Sequence, residues 1–509
     1  MGDAVDNCIM ESQTHRRSWF GLICLLGMLL LFAATKATVW DTLDPDCFWH
    51  LRVGEQLWRE GVHPLVDHLS FASQKTPWTP YSWLAEMGMV RLWNIGGWQS
   101  AVAVTALLSA GILACIAYCC RQLIDAQADE RSERLLPTLL ATTFAAMLSL
   151  PYLSFRPVTA VIFLLAVCTA LLLRDRRLNE RSRAVWAIVP ITVLATNMHL
   201  FAVFVPMSCA ALFLGSLCER HERRRMARNL LLTATTGLAC LCTPMLSGAI
   251  AAAMHYQWHD PMVASPIISE MQPFYAGVAG KMSALLVIAL VACVIRKPSV
   301  RAGEIIWLAM ATLLLLRFGR FAPLFVLIAA PILAVTMPTG SDAVLGRRSV
   351  QWASIVVLCM GICRFVILFP SGRMSVETWA NRRGEDVAGY PVAAAEFVQG
   401  YVPPASGRII NEFNWGGYLE WKFAGRYQTL LDGRTQVFPI EFWRQTYLAD
   451  EKTRRQFLGS VDADAAILPI SKSLFRSALL QLGWKVVHRD DRAEVLTPPS
   501  SNLAAIDDH

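Results

Sequence analysis

Charge is scarce in this sequence. Only 17% of its 509 residues are Asp, Glu, Lys or Arg, against about a quarter in soluble domains. Hydrophobic residues make up 55%, and the mean hydropathy is +0.41. A deficit spread over so long a chain excludes a soluble protein with one anchor and indicates many buried spans. Cysteine is missing after residue 370, and all 14 cysteines except Cys8 and Cys47 fall in or at the ends of apolar segments. No Cys-x-x-Cys pair flanks a His-rich stretch, so the thiols read as small packing residues of helices rather than a disulfide framework or a zinc site. The region after residue 370 has no Gly-x-Gly-x-x-Gly or Walker-type phosphate loop, and the chain shows no internal repeat or low-complexity tract. The net charge of +7 sits largely in short Arg-rich loops. It reports topology, and no nucleic-acid partner is expected.

What is present is a series of apolar runs, near residues 19–39, 101–120, 135–153, 158–173, 184–198, 200–218, 229–250, 281–296, 303–316, 321–337 and 351–369. Several are shorter than the ~20 residues a straight span needs. Flanking residues or sheltering neighbours are expected to complete them, for about eleven transmembrane helices. The first run follows Arg16 and Arg17; it is long for a signal peptide and lacks a clear small-x-small cleavage site, so a retained helix is expected.

The loops alternate in charge. Even-numbered ones carry Arg121, Arg131 and Arg134; Arg174, Arg176, Arg177, Arg181 and Arg183; Arg220, Arg223, Arg224, Arg225 and Arg228; Arg296, Lys297 and Arg301; and Arg347 and Arg348. The positive-inside rule then puts the N-terminal residues 1–18 in the cytoplasm. The transmembrane domain is expected over 19–370, with large outer loops at 40–100 and 251–280, and residues 371–509 on the outer, extracytoplasmic side. That last segment reads as a soluble α/β domain. Strands are expected at Arg408–Asn411, Thr429–Asp432 and Ala465–Leu468, helices at Trp415–Phe423 and Ser471–Leu482, and a terminal hairpin at Trp484–His488 and Ala493–Leu496.

The first outer loop holds Trp49, Trp58, Trp78, Trp83, Trp93 and Trp98, and residues 47–58 carry Phe48, Leu51 and Trp58 on one helical face. The pattern predicts a helix lying flat on the outer interface. At its start, Asp41, Asp44, Asp46, His50, Arg52 and Glu55 crowd together. Asp44 or Asp46 could take a proton from an acceptor hydroxyl or hold a divalent cation, and His50 or Arg52 could stabilise a departing phosphate. The plainer alternative is that the acids cap the helix. His63, Asp67 and His68 offer no third metal ligand at a fixed spacing, so they read as a turn and the metal stays unassigned. Arg156, His199, Glu270, Arg317 and Arg320 fall at outer helix ends, where they could hold a lipid phosphate or simply snorkel to the interface. Asn414–Leu419 and Asp432–Gly433–Arg434 read as turns that pack the C-terminal domain or bind an acceptor.

These motifs resemble a group of poorly characterised bacterial multi-spanning proteins whose layout is similar to GT-C glycosyltransferases. The resemblance rests on Asp44-x-Asp46-x-x-Trp49-His50-Leu51-x-x-Gly54 and on the series Pro64, Asp67, Ser70-Phe71, Pro77-Trp78 and Trp83-Leu84-Ala85-Glu86. It continues through Asn197-x-His199, Pro244, Ile268-x-Glu270, Arg320-x-x-Pro323-Leu324-Phe325, Asn414–Leu419 and Asp432–Arg434. It implies transfer of a sugar from a polyprenyl-phosphate-linked donor to a glycan, lipid or protein acceptor on the outer face. Asp44 or Asp46 takes the place of the catalytic acid. The group often shows His-Glu before Trp-Leu, where this chain has Tyr81–Ser82. The alternative reading is a non-catalytic transport or scaffold protein that handles lipid-linked glycans. An ion-coupled transporter would show midplane acids or broken helices in repeated halves, and neither is found.

Overall fold

The computed structural model describes residues 44–127, 135–256, 260–275, 300–337 and 389–501, less a few single positions within them, and only isolated residues elsewhere. The chain divides into two compact units. The first comprises Met1–Thr42, Val102–Thr243 and Ser269–Arg373, the second Leu43–Ala101, Pro244–Ile268 and Met374–His509.

The first unit is helical. Among the described residues four helices are long and apolar enough to cross a membrane: Trp83–Ile124, Pro157–Arg177, Leu200–Cys218 and Gly319–Thr336. The first of these opens in the second unit and kinks at Gly96 and Gly97, the latter at φ +50°. Ala184–Thr196 is apolar but shorter. The helices Leu135–Ser149 and Ala302–Arg317 share one hydrophobic core with the spans. The expected runs at 19–39, 281–296 and 351–369 lie almost wholly outside the described residues. One expected span is corrected: 229–250 is two helices, Arg223–Ala239 and Leu246–Met254. They break before Pro244, which lacks an N–H and disfavours helix in the residue before it.

Two features tie this bundle together. Helix Phe204–Cys218 packs on Ala302–Arg317 through glycine, and a Cβ placed on Gly215 would lie 2.1 Å from Gly303 N. Small residues allow that approach between apolar helices. Arg176 also does more than mark topology, since its Nε donates to Glu304 Oε1 at 2.7 Å with both side chains buried.

The second unit is built on a five-stranded sheet in the order β4-β3-β5-β7-β6. Its strands are β3 (Arg408–Asn411), β4 (Gln428–Thr429), β5 (Ala465–Pro469), β6 (Lys485–Arg489) and β7 (Ala493–Thr497). The pair β1 (Leu65–Val66) and β2 (Pro77–Trp78) forms a separate antiparallel ribbon. Strand β3 pairs in parallel with β4 and β5, while β7 pairs antiparallel with β5 and β6. The parallel β3–β4 connection crosses over through helix Gly416–Phe423, as parallel pairing requires. β3 and the closing hairpin fall where local alternation predicts them. The strand expected at Thr429–Asp432 stops at Thr429, and the helix expected at Ser471–Leu482 shortens to Arg476–Gln481.

Helix Pro45–Glu60 forms as expected, but of the face expected to lie on the interface Phe48 and Leu51 are covered by protein and Trp58 is exposed. The helix's face of Cys47, Phe48, Leu51, Val53 and Leu57 is buried against protein, and helix Gly416–Phe423 packs on it. Gly417 makes this possible, since a Cβ there would come within 2.8 Å of Pro45 O.

Candidate functional site

Polar residues gather in each unit separately. In the second unit, Asp44 is the N-cap of helix Pro45–Glu60 and accepts from Asp46 N at 2.9 Å. Asp46 Oδ1 accepts from Trp49 Nε1 at 3.0 Å. Gly433 abuts the same oxygen: a Cβ there would sit 2.1 Å from it. His50 is buried, its Nδ1 2.9 Å from Glu86 Oε1, with its ring 3.6 Å from the Trp49 ring. Glu86 Oε2 is buried without a hydrogen-bond partner among the described residues. Arg52 pairs with Glu55 on its own helix.

The same unit holds an ionic centre built on Asp432–Gly433–Arg434, the turn expected to pack the C-terminal domain or bind an acceptor. Arg434 is 1% exposed. Its guanidinium binds Asp432 and donates to Asp67 Oδ1 at 2.8 Å, and Glu420 Oε1 stands 3.9 Å away. The Trp78 and Trp49 rings lie 5.6 and 5.9 Å from the same cation. Burial alone would raise the Asp67 carboxyl; the facing guanidinium and the Ser73 hydroxyl outweigh it and hold the group below the usual carboxylate range. Glu420 goes the other way. Burial first, then the neighbouring Asp432 charge, pushes its carboxyl well above that range, so it keeps its proton. The same guanidinium thus faces one carboxyl held low and one pushed high, Asp67 and Glu420. The signal in the sequence was a charged Asp432–Arg434 pair set between apolar Leu430–Leu431 and Val437–Phe438.

In the first unit, Arg156, His199, Glu270 and Arg320 come together. Arg156 N-caps helix Pro157–Arg177 and its Nη2 donates to Glu270 Oε2 at 3.2 Å. Arg320 Nη2 stands 3.7 Å from Glu270 Oε1, an ion pair too long for a hydrogen bond. Among the described residues, its one hydrogen bond is Nη1 to Met271 Sδ at 3.4 Å, to a weak acceptor. Gly319 lets this turn approach the Glu270 segment: its N–H donates to Gln272 O at 2.9 Å, and a Cβ would meet the Tyr152 hydroxyl at 2.9 Å.

His199 Nδ1 accepts from Phe201 N at 3.2 Å, so its proton sits on Nε2. Burial, and then the Arg320 and Arg156 charges, push its pKa down to about 3. Burial would raise the Glu270 carboxyl, but the two arginines bring it down to about 2. At neutral pH the histidine is therefore neutral and the glutamate charged. Arg317, expected to share this face, is instead exposed, with its guanidinium 4.9 Å from the Phe318 ring. The turn from Phe318 breaks the helix between the two arginines, so a three-residue spacing no longer aligns them.

Among the described residues no group of three or more His, Cys, Asp or Glu is placed to share a metal ion. Asp44 caps its helix, Asp46 accepts from an indole and His50 pairs with Glu86, and the three do not form a shared set of metal ligands.

No protein-family model matches the chain, and a search of curated proteins finds no match. Solved structures do resemble it. The archaeal oligosaccharyltransferase AglB from Archaeoglobus fulgidus, in complex with an inhibitory peptide and a dolichol-phosphate, superposes with a TM-score of 0.59 at 10% identity. That match covers 91% of this chain and 71% of that one. The Archaeoglobus fulgidus oligosaccharyltransferase tethered to an acceptor peptide gives 0.52 at 11% identity, covering 89% and 70%. ArnT from Cupriavidus metallidurans in the apo state gives 0.51 at 13% identity, covering 96% and 99%. At these identities the likeness is one of fold: the chain shares the fold of these oligosaccharyltransferase and ArnT structures, in agreement with the GT-C-like layout expected from the motifs of the first outer loop.

Proposed function

We propose that this protein transfers a sugar from a polyprenyl-phosphate-linked donor to a glycan, lipid or protein acceptor on the outer face of a bacterial inner membrane. It does so with about eleven spans, a cytoplasmic N-terminus and a periplasmic C-terminal segment. The reading is supported by the shared fold and by AglB, a similar structure that holds a dolichol-phosphate. The observation that carries it is Arg320, a mostly buried guanidinium whose fork is turned to a thioether and a distant carboxylate. A planar, always-charged donor in that condition suits phosphate oxygens.

In this mechanism Arg156 and Arg320 hold the donor phosphate, and His199 offers its Nε2–H as a neutral donor. The acceptor hydroxyl oxygen attacks the anomeric carbon, and the bond from that carbon to the phosphate oxygen breaks. The hydroxyl proton passes to a carboxylate, the role that the resemblance gives to Asp44 or Asp46, and the lipid phosphate leaves with the electron pair. The engagement of both acids in local bonds favours a second reading, a protein that handles lipid-linked glycans without chemistry.

Two measurements separate these. Binding of a short-chain polyprenyl phosphate to the purified protein should weaken in the order wild type, Arg320→Lys, Arg320→Ala. Equal affinity in all three removes Arg320 from the site. In cells, Asp46→Asn should lower the glycosylated product about 10²–10⁴-fold at unchanged protein level. Full product with both Asp44→Asn and Asp46→Asn would leave the non-catalytic reading.

A further inference from the structure

We infer that the Arg156–Glu270–Arg320 cluster selects a singly charged phosphodiester headgroup, that of a monophosphate-linked sugar, over a diphosphate, and that Glu270 is the residue that sets this preference. The inference rests on the lipid-phosphate reading and narrows it to one donor class.

The argument is a count of charge at one place. Arg156 and Arg320 bring two positive charges, and Glu270 lies between them at 3.2 and 3.7 Å. His199, the fourth member, is neutral at physiological pH. Arg317 is the other cation nearby in sequence, and it is exposed beside Phe318. Among the described residues the cluster therefore offers a single net positive charge.

A partly dry site with one net charge discriminates between anions. The Coulomb gain of an entering anion grows in proportion to its charge, while the cost of stripping its water grows roughly as the square. A phosphodiester carries one negative charge and leaves the site neutral. A diphosphate leaves it negative, with Glu270 adding repulsion. The side chains of Arg156, Glu270 and Arg320 are 10%, 27% and 21% exposed, so the site is neither sealed nor freely solvated.

The geometry also gives Glu270 a reason to be there. Its carboxylate holds Arg156 by a hydrogen bond and leaves Arg320 at a looser distance. It thus fixes one cation and cancels one charge, while the other guanidinium keeps its fork for the ligand. Glu270 is a specificity residue in this scheme and touches no bond that breaks.

The test is competitive binding to the full-length protein in detergent, at one pH above neutrality. The probes are a short-chain polyprenyl glycosyl phosphodiester, the matching polyprenyl diphosphate, and the same glycosyl phosphodiester without its prenyl tail. Wild type should prefer the prenyl phosphodiester to the diphosphate by about tenfold or more. Glu270→Gln should move that ratio toward the diphosphate by a similar factor, and Glu270→Asp, which keeps the charge, should preserve it. Equal or tighter diphosphate binding by wild type overturns the inference. So does an unchanged ratio in Glu270→Gln when its melting temperature matches wild type. If the tailless headgroup binds as tightly as the lipid form, the charge selection stands and the lipid-carrier reading falls. If no probe binds, both fall.

Discussion

Arg434 brings one positive charge into a space walled by Asp67, Asp432 and Glu420, with tryptophan rings on two sides. A cation in that position is expected to matter through what its loss leaves behind. Arg434→Met would leave the buried Asp67 and Asp432 side chains without their cation, and breaking a buried pair in this way costs about 3–5 kcal/mol. Thermal unfolding of the purified protein should show a large drop, and a change within error would mean that water reaches the centre. Glu420 gives a prediction of opposite kind. Its carboxyl is raised in the fold, so the folded state binds a proton that the unfolded chain releases above its ordinary carboxylate range. Stability contributed by that proton is present at low pH and is lost as pH rises from the unfolded value through the folded one. Glu420→Gln cannot lose a proton. Its melting temperature should therefore fall less than that of wild type between mildly acidic and alkaline pH. Parallel curves would show that Glu420 does not titrate in this window.

At the scale of elements, helix Phe204–Cys218 and helix Ala302–Arg317 approach each other at a pair of glycines. Any side chain at Gly215 meets Gly303 backbone rather than a flexible group that could move aside. Gly215→Val is expected to cost about 1–3 kcal/mol by overpacking. Gly237, whose added Cβ would meet nothing within 4 Å, provides the comparison: Gly237→Ala should leave the melting temperature unchanged or slightly raise it. If both variants behave alike, the close approach is not what holds these helices. The same reasoning explains helix Pro45–Glu60. Asp44 at its N-cap and Pro45 in its first turn start it locally, whereas Gly417 and the packing of Gly416–Phe423 decide which face is covered.

For the whole molecule, orientation is the property on which the proposed chemistry depends. A glycosyltransferase working on the outer face needs the segment after residue 371 and the first outer loop on the periplasmic side. The alternation of Arg-rich loops predicts that arrangement. An alkaline phosphatase fused after His509 should be active, and a reporter that functions only in the cytosol should be silent. The reverse pattern would put the outer-face reading aside, because every residue assigned to donor or acceptor would then face the wrong compartment.

What the sequence determined by itself is what depends on neighbours along the chain. Four apolar runs long enough to span, the alternation that makes β3 and the closing hairpin, and the Asp44–Pro45 helix start are all local, and these were legible. The first-loop motif pointed to the fold for the same reason, being a contiguous pattern. Only the tertiary structure decided which charges meet. Arg434 and Asp67 are separated by 367 residues, and Arg156 and Glu270 by 114. No periodicity links positions so distant. A turn-forming Asp-Gly-Arg looks the same in a sequence whether water or three carboxylates surround it. Arg320 and Arg317 make the point from the other side. They were placed together because three residues separate them, but an extended Phe318, at φ −143° and ψ 129°, ended the helix and sent them to different surroundings.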